Sequence, residues 1–319
     1  MFQKFTNVSC QAYLVFLLLF ISACSSINMP NSPDKLTLQT ARYGHAAATD
    51  GKRIYVFAGS NGGTFLTDIE IINPATGNVQ VLKDRVIPRR YFSAVWDGEH
   101  SIYLIGGISL TEGKARLESR VEIFNLLTQQ ITFAKPMPEP ASNSQAVFLY
   151  NSIYVFGGST SNKLSNYKLA ATSTSAMYDT RSNKWRKLAD MPTAKSTSAI
   201  VKDGVIYVAG GFNHKAALNV FERFDPKGNH WQILPPMPRN ISAHSIARMG
   251  EKMLLFGDYE KLDSTLMYDF ESKTWTEVDL GYQASRHNTS VTIGNTIYVV
   301  GGNINSKGES VDVIQQFSL

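Results

Sequence analysis

Six times along the chain, a short run of aromatic and aliphatic residues stops at a pair of small ones. The runs are Tyr55-Val56-Phe57-Ala58-Gly59, Tyr103-Leu104-Ile105-Gly106-Gly107, Tyr154-Val155-Phe156-Gly157-Gly158 and Tyr207-Val208-Ala209-Gly210-Gly211, then Leu254-Leu255-Phe256-Gly257-Asp258 and Tyr298-Val299-Val300-Gly301-Gly302. Counted between the first small residues, at 58, 106, 157, 210, 257 and 301, the steps are 48, 51, 53, 47 and 44. Short continuous apolar runs bounded by glycine predict buried strands, and a recurrence of ~50 residues predicts one small β-sheet per repeat. A second pattern keeps step with the first. Tyr178-Asp179 is followed by Trp185, Phe224-Asp225 by Trp231 and Tyr268-Asp269 by Trp275. Ile72-Asn73 with Val79, and Phe124-Asn125 with Ile131, fill the same places in the first two repeats. The Asp or Asn opens a turn, as in Asn73-Pro74-Ala75-Thr76-Gly77, so each pair predicts a hairpin joining a third strand to a fourth. Leu-x-x-Met-Pro phrases follow at Leu188–Pro192 and Leu234–Pro238.

These phrases together resemble the kelch repeat, in which a first strand, a turn, a second strand ending in Gly-Gly and a Tyr…Trp hairpin build one blade. The resemblance covers about 285 residues, 35–319. It implies an all-β, six-bladed kelch-type β-propeller. Ala58 and Asp258 depart from the pattern at glycine positions, and the first two repeats have no Trp at the hairpin position. The last repeat reaches a third strand, Val311–Phe317, and stops, whereas Leu36-Thr37-Leu38 stands where the other repeats have a fourth strand. Residues 35–39 are therefore expected to supply the outer strand of the sixth blade, so that an N-terminal strand closes the ring.

The first 34 residues read differently. Lys4 is the one charge before a run of about ten apolar residues, Ala12 to Ile21. A bilayer span needs ~20 such residues, so the run predicts a secretory signal rather than a membrane helix. It ends in Ile21-Ser22-Ala23-Cys24, which resembles the lipobox of bacterial lipoproteins. The resemblance implies cleavage before Cys24, acylation of Cys24, and anchoring in a bacterial envelope. Ser25 after the Cys favours the outer membrane. Residues 1–23 are then a signal peptide, 24–34 a polar tether with two prolines, and 35–319 the folded domain. The cysteines are Cys10 and Cys24, so that domain has neither a disulfide nor a free thiol. Its size makes staples unnecessary.

Charge narrows the partners. Without Lys4 the chain carries 30 basic and 26 acidic residues, and no long Lys/Arg run, so nucleic acid is a poor fit. Basic residues do gather where each first strand should begin: Arg42, Arg90, Ser142, Lys195, Ile241 and Arg286, with His45, Ser93, Gln145, Ser198, His244 and Thr289 three places on. Arg42, Arg90, Lys195, Arg286 and His45 are candidate ligand-binding residues. A ring of cations at a channel mouth attracts anions, and arginine grips carboxylates in two places. The same cations can instead bond carbonyls between blades. Motifs for metalloproteases, serine hydrolases, P-loops and paired-cysteine metal sites are absent, so no cofactor and no metal are expected. His100, His214 and His230 read as turn or loop residues.

Three functions remain open: a lipid-anchored module binding an acidic sugar or a protein, an enzyme, or a structural scaffold of the envelope. The enzyme alternative comes from resemblance to secreted kelch proteins that are sialic acid mutarotases, an isomerase activity needing a placed acid and base. His244, Asp258 and Glu112 are the candidate proton carriers for it. Catalysis is the less favoured reading.

Overall fold

The computed structural model describes residues 35–161 and 168–318. The expected signal peptide, tether and acylated Cys24 lie outside the described residues. Among the described residues there is no helix. Six antiparallel four-stranded sheets follow one another along the chain. In sheet one the strands are Ala46–Thr49, Ile54–Phe57, Ile69–Ile72 and Val79–Leu82. Sheet two has Ser93–Trp96, Ser101–Ile105, Val121–Asn125 and Ile131–Ala134; sheet three has Gln145–Leu149, Ser152–Phe156, Ser175–Asp179 and Lys184–Lys187. In sheet four they are Ser196–Lys202, Val205–Phe212, Phe221–Asp225 and His230–Leu234, and in sheet five Ser245–Met249, Lys252–Phe256, Thr265–Asp269 and Thr274–Glu277. The sixth sheet combines Thr289–Ile293, Thr296–Val300 and Val313–Phe317 with Leu36–Thr37 from the other end of the sequence.

Burial follows strand position. The second strands are the most deeply buried, Ile54–Phe57 and Ser152–Phe156 along their whole length, which explains their continuous apolar runs. The fourth strands are largely exposed, as in Lys184–Lys187, and charge there protects an edge. Each hydrophobic cluster joins one sheet to the next. Phe57 and Ile69 meet Ile102 and Phe124; Val95 and Ile105 meet Ile153 and Tyr178; Tyr154 and Phe156 meet Ile206 and Phe224. Phe221 meets Leu255 and Tyr268, and Phe256 meets Ile297 and Phe317. A sixth cluster joins Val300 and Ile314 of sheet six to Ile54 and Val56 of sheet one. The first strands touch in the same succession, and that of sheet six touches that of sheet one. The hairpin tryptophans belong to this packing. Trp185 and Trp231 donate to the carbonyls of Lys135 and Ala189 in the loop before their sheet, both at 2.9 Å.

The small pairs are places of close approach. The second member donates its amide to the start of the next sheet: Gly59 to Arg89, Gly107 to Ala141, Gly158 to Lys195, Gly211 to Ile241 and Gly302 to Arg42, at 2.8–2.9 Å. A Cβ on Gly157 would lie 2.3 Å from the Lys195 carbonyl oxygen, at a φ of 59°. Ala58 takes the same left-handed region, with φ 46°, although it has a side chain. Asp258 replaces the second glycine and uses its carboxylate instead, accepting from the Ser242 amide at 2.9 Å.

The N-terminal strand pairs Leu36 with Ile314 and Thr37 with Val313, and Leu38 donates to Asp312 at 2.7 Å. Leu36 and Leu38 are buried. The third strand of sheet six begins at Val313, two residues later than the sequence suggests. The loops that follow the glycine pairs of sheets two and three, 108–120 and 159–174, are partly folded: Ile108–Thr111 and Lys114–Leu117 form a hairpin, and Ser159–Thr160 pairs with Ala170–Ala171.

Candidate functional site

The residues that start each sheet can be aligned by geometry. Carbonyl oxygens of Arg42, Ala141, Lys195, Ile241 and Ser285 crowd the first glycine of a pair, and Arg89 accepts from Gly59 as the others accept from their own second glycines. The equivalent positions are therefore 42, 89, 141, 195, 241 and 285. Sequence alignment at Arg90, Ser142 and Arg286 runs one residue late in three repeats. These three fall instead with Tyr43, which bridges Ser60 just as Ser142 bridges Ser159 and Arg286 bridges Asn303.

That one-residue shift separates two sets of cations. The Arg42 guanidinium is fully buried, bonded to the Ala58 carbonyl at 3.0 Å, to Asp68 at 2.8 Å and to Glu70. Arg89, equally buried, bonds the Gly106 carbonyl at 3.1 Å and pairs with Glu122, and Lys195 pairs with Glu222. Burial pulls Arg89 and Lys195 below their ordinary pKa and pushes Glu122 up, each opposed by its partner. Glu70, Glu122 and Glu222 occupy the same place, the second residue of the third strand. Where the starting residue is Ala141, Ile241 or Ser285, that place holds Ala176, Leu266 or Ile314. At this pair of positions a buried cation occurs only with its buried anion, as the cost of burying an unpaired charge requires. Arg42 and Lys195, expected at a ligand-facing mouth, are inside the protein and tie its strands together.

The starts of the first strands surround a cavity of about 710 Å³. One wall is aromatic. The rings of Tyr43, Tyr91 and Tyr259 lie within 6.4 Å of His287, centroid to centroid. The Arg286 guanidinium lies 3.8 Å above Tyr259 and donates to the Tyr259 carbonyl at 2.7 Å. Arg90 stands beside this wall between Phe65 and Tyr91, and donates to the Tyr43 hydroxyl at 3.0 Å. The opposite wall is hydroxyl and amide: Asn143, Ser144, Gln145, Ser196, Thr197, Ser198 and Ser242. There Ser159 Oγ meets His214 Nε2 at 2.6 Å, a contact between residues 55 apart in sequence.

Backbone strain fixes the rim. Gly44, Tyr91, Asn143, Ala243 and His287 all have φ between 52° and 59°. Their peptides hydrogen-bond in turn: Asn143 to Tyr91 at 2.7 Å, Tyr91 to Gly44 at 2.6 Å, Gly44 to His287 at 3.0 Å and His287 to Ala243 at 2.8 Å. Tyr and His pay a steric penalty for this conformation that glycine escapes, and such strain collects at functional sites. At the sixth place, Thr197, the series gives way to an irregular register between Ser196 and Ser198.

Three buried histidines, His45, His244 and His287, are held neutral. Burial and the nearby Arg42 lower His45 to about 3, and its Nε2 contacts Thr289 Oγ1 at 2.9 Å. Burial lowers His287 to about 4, with Nδ1 on Asn303 Oδ1 at 3.0 Å opposing it. His244 also falls to about 4 through burial, opposed by Asp258. The three proposed proton carriers do not converge. Asp258 binds the amides of Ser242 and Tyr259, at 2.9 and 2.7 Å, and Glu112 is an exposed residue at the turn of the Ile108–Leu117 hairpin. Of the expected binding residues, His45 and Arg286 line the cavity and Arg90 adjoins it. Tyr43, Tyr91, Tyr259 and His287 were not singled out by sequence, although Tyr43 and Tyr91 each follow a basic residue directly.

Comparison with known proteins agrees with this repeat structure. The FKB95, Kelch-repeats domain family matches residues 130–313, and the Kelch motif matches residues 41–83. The chain is similar to Kelch-like protein 38 of Rattus norvegicus, 26% identical over 239 residues, covering 74% of this chain and 39% of that protein. It is similar to Kelch-like protein terF of Aspergillus terreus, 26% identical over 234 residues, covering 67% and 50% respectively. Kelch-like protein 23 of Homo sapiens is 26% identical over 218 residues, covering 66% and 36%. The matched region spans between about a third and a half of each relative.

Proposed function

The chain belongs to the kelch-repeat family, and from that premise we propose that it is a binding module which receives an acidic ligand, a sugar acid or the acidic surface of a protein, in the cavity beside Arg286. Six sheets that pack in succession, with the last against the first, support a six-bladed propeller, and the pairing of Leu36 with Ile314 supports closure of that ring by the N-terminal strand. The observation that carries the binding reading is the two-walled cavity: aromatic rings and a guanidinium face hydroxyl and amide side chains across about 710 Å³, the size and make-up of a small-molecule site. Arg286 is the cation of the expected set that lines it, with Arg90 alongside. The engagement of the Asp258 carboxylate by two backbone amides and Arg239, and the exposure of Glu112 on a hairpin turn, favour binding over interconversion of sugar anomers. The lipobox-like Ile21-Ser22-Ala23-Cys24 supports an acylated protein tethered to the bacterial envelope, at the outer membrane by the Ser25 criterion.

Thermal shift of the full chain against a panel of sugar acids tests the site. Saturable stabilisation that disappears in Arg286→Ala and weakens in Arg90→Ala is expected, because a ligand that binds the folded state raises its stability by mass action. No shift with any acid overturns the small-ligand form and directs the search to a protein seated on the rim, where Phe212, Tyr259 and Ile304 are exposed. Incorporation of labelled palmitate, lost in Cys24→Ala, tests the tether.

A further inference from the structure

Below the cavity a narrower space of about 90 Å³ continues between the first strands, sharing Gln145, Ser198, His244, Asn288 and Thr289 with the cavity above. This throat is lined by polar groups without partners. His244 is 8% exposed, and no well-formed hydrogen bond reaches either ring nitrogen among the described residues, the Ala209 backbone being the one group close enough to act on the imidazole as an acceptor. Asn288 Oδ1, Ser245 Oγ and Ser290 Oγ likewise have no hydrogen-bond partner among the described residues. Polar atoms buried this deeply are nearly always paired, because leaving them unpaired costs about 1–3 kcal/mol each. Four residues around one throat share the same deficit. All are uncharged: the His244 imidazole is held neutral by burial, so it presents one N–H donor and one acceptor nitrogen. The nearby Asp258 carboxylate is taken up by backbone amides and Arg239. Of the two basic residues lining the cavity, Lys215 and Arg286, it is Arg286 that sits two residues from Asn288 on the same segment, at the rim.

We infer that the throat is a separate uncharged subsite centred on His244, which takes the hydroxyl-bearing end of a ligand whose carboxylate lies at Arg286. The inference rests on the acidic-ligand reading above and narrows it to a sugar acid, excluding simple carboxylates and acidic peptides. A carboxylate alone leaves the throat unpaired, whereas vicinal hydroxyls match a neutral imidazole, an amide oxygen and two serine hydroxyls. Sites built to bond a ligand's hydroxyls reject analogues that lack them, because their own polar groups then stay unpaired.

The test is isothermal titration of the full chain in detergent with glucuronate, N-acetylneuraminate and propionate. At least one sugar acid should bind tenfold or more tighter than propionate. His244→Leu should abolish that preference and leave propionate affinity unchanged, His244→Gln should restore part of it, and Ser290→Val should reduce it by a route that leaves the histidine in place. Melting curves identify any variant that fails to fold. Equal affinity for propionate and the sugar acids, with both lost in Arg286→Ala, overturns the subsite and leaves the anion reading standing. A preference that survives both His244→Leu and Ser290→Val overturns it too. No binding by any of the three acids overturns both.

Discussion

Glu70 holds Arg42 and the start of the domain with one carboxylate, its Oε1 accepting from both Arg42 and the Thr40 amide and its Oε2 from the Gln39 amide. Besides the buried Arg42 pair, its two oxygens accept the backbone amides of Gln39 at 2.6 Å and Thr40 at 3.0 Å. The segment leaving the N-terminal strand is therefore fastened to sheet one by a single carboxylate, next to its strand pairing with sheet six. Cation and carboxylate come together in sheets one, two and four and are absent together from sheets three, five and six, so the molecule contains its own comparison between charged and uncharged solutions of one packing problem.

That comparison predicts a non-additive pair. Lys195→Ile or Glu222→Leu alone strands a buried charge and should cost about 3–5 kcal/mol. The double variant reproduces the Ile241 and Leu266 arrangement of sheet five and should recover most of the loss. Urea denaturation of the four proteins gives the coupling energy. Equal and additive losses would refute the paired origin of these residues.

Deleting residues 35–39 should lower stability by about 3–6 kcal/mol, since it uncovers the site filled by Leu36 and Leu38 and removes the Gln39 amide bound by Glu70. Thermal melting of the trimmed and full chains decides this. Identical melting would show that the strand is dispensable.

Stability should fall in mild acid. His45, His244 and His287 are lowered from 6.5 to about 3, 4 and 4, so the unfolded chain takes up their protons first. Their contribution is complete above pH 6.5 and is lost as pH falls from 6.5 towards 4, at up to about 4 kcal/mol per pH unit for three protons. Denaturation midpoints at pH 7, 5.5 and 4.5 measure it. His287→Gln should flatten the slope by about one proton; an unchanged slope would contradict the assignment.

Gly157→Ala should destabilise by about 2–4 kcal/mol, combining a left-handed backbone with a Cβ driven onto the Lys195 carbonyl. Gly62→Ala has the same sign of φ and open space around it, and should cost less. Chemical denaturation of the two variants separates the steric part from the conformational part.

The six sheets were legible because each second strand is buried on both sides, so its hydrophobic run is unbroken and its glycine pair marks where the next sheet approaches. The partner of Leu36-Thr37 was legible as well, because one repeat lacked a strand and one strand lacked a repeat. The site was much less so. Arg89-Arg90 places two like residues side by side, and sequence cannot say which one turns inward; the bond from Gly59 to the Arg89 carbonyl decides it. The carboxylates that absorb Arg42, Arg89 and Lys195 lie 27 to 33 residues away, on the third strands. The aromatic wall leaves no local signature in the sequence because Tyr43, Tyr91 and Tyr259 belong to three different sheets, at the loops before or after them. His244 was visible as a residue but not as an unpaired one, since pairing is a property of neighbours that the fold supplies.

The pairing of Leu36 with Ile314 also sets an order in time. A chain made from its N-terminus has Leu36 long before Ile314 exists, and the two cannot meet until nearly 280 further residues have followed. Sheets one to five can each assemble from contiguous sequence as it emerges, but sheet six waits for both ends. Its closure is the slow, long-range step of folding, since distant contacts form late. Until then Leu36, Leu38 and the exposed side of Val313–Phe317 stay uncovered together, and the unfinished molecule presents an open strand edge to whatever compartment it is in.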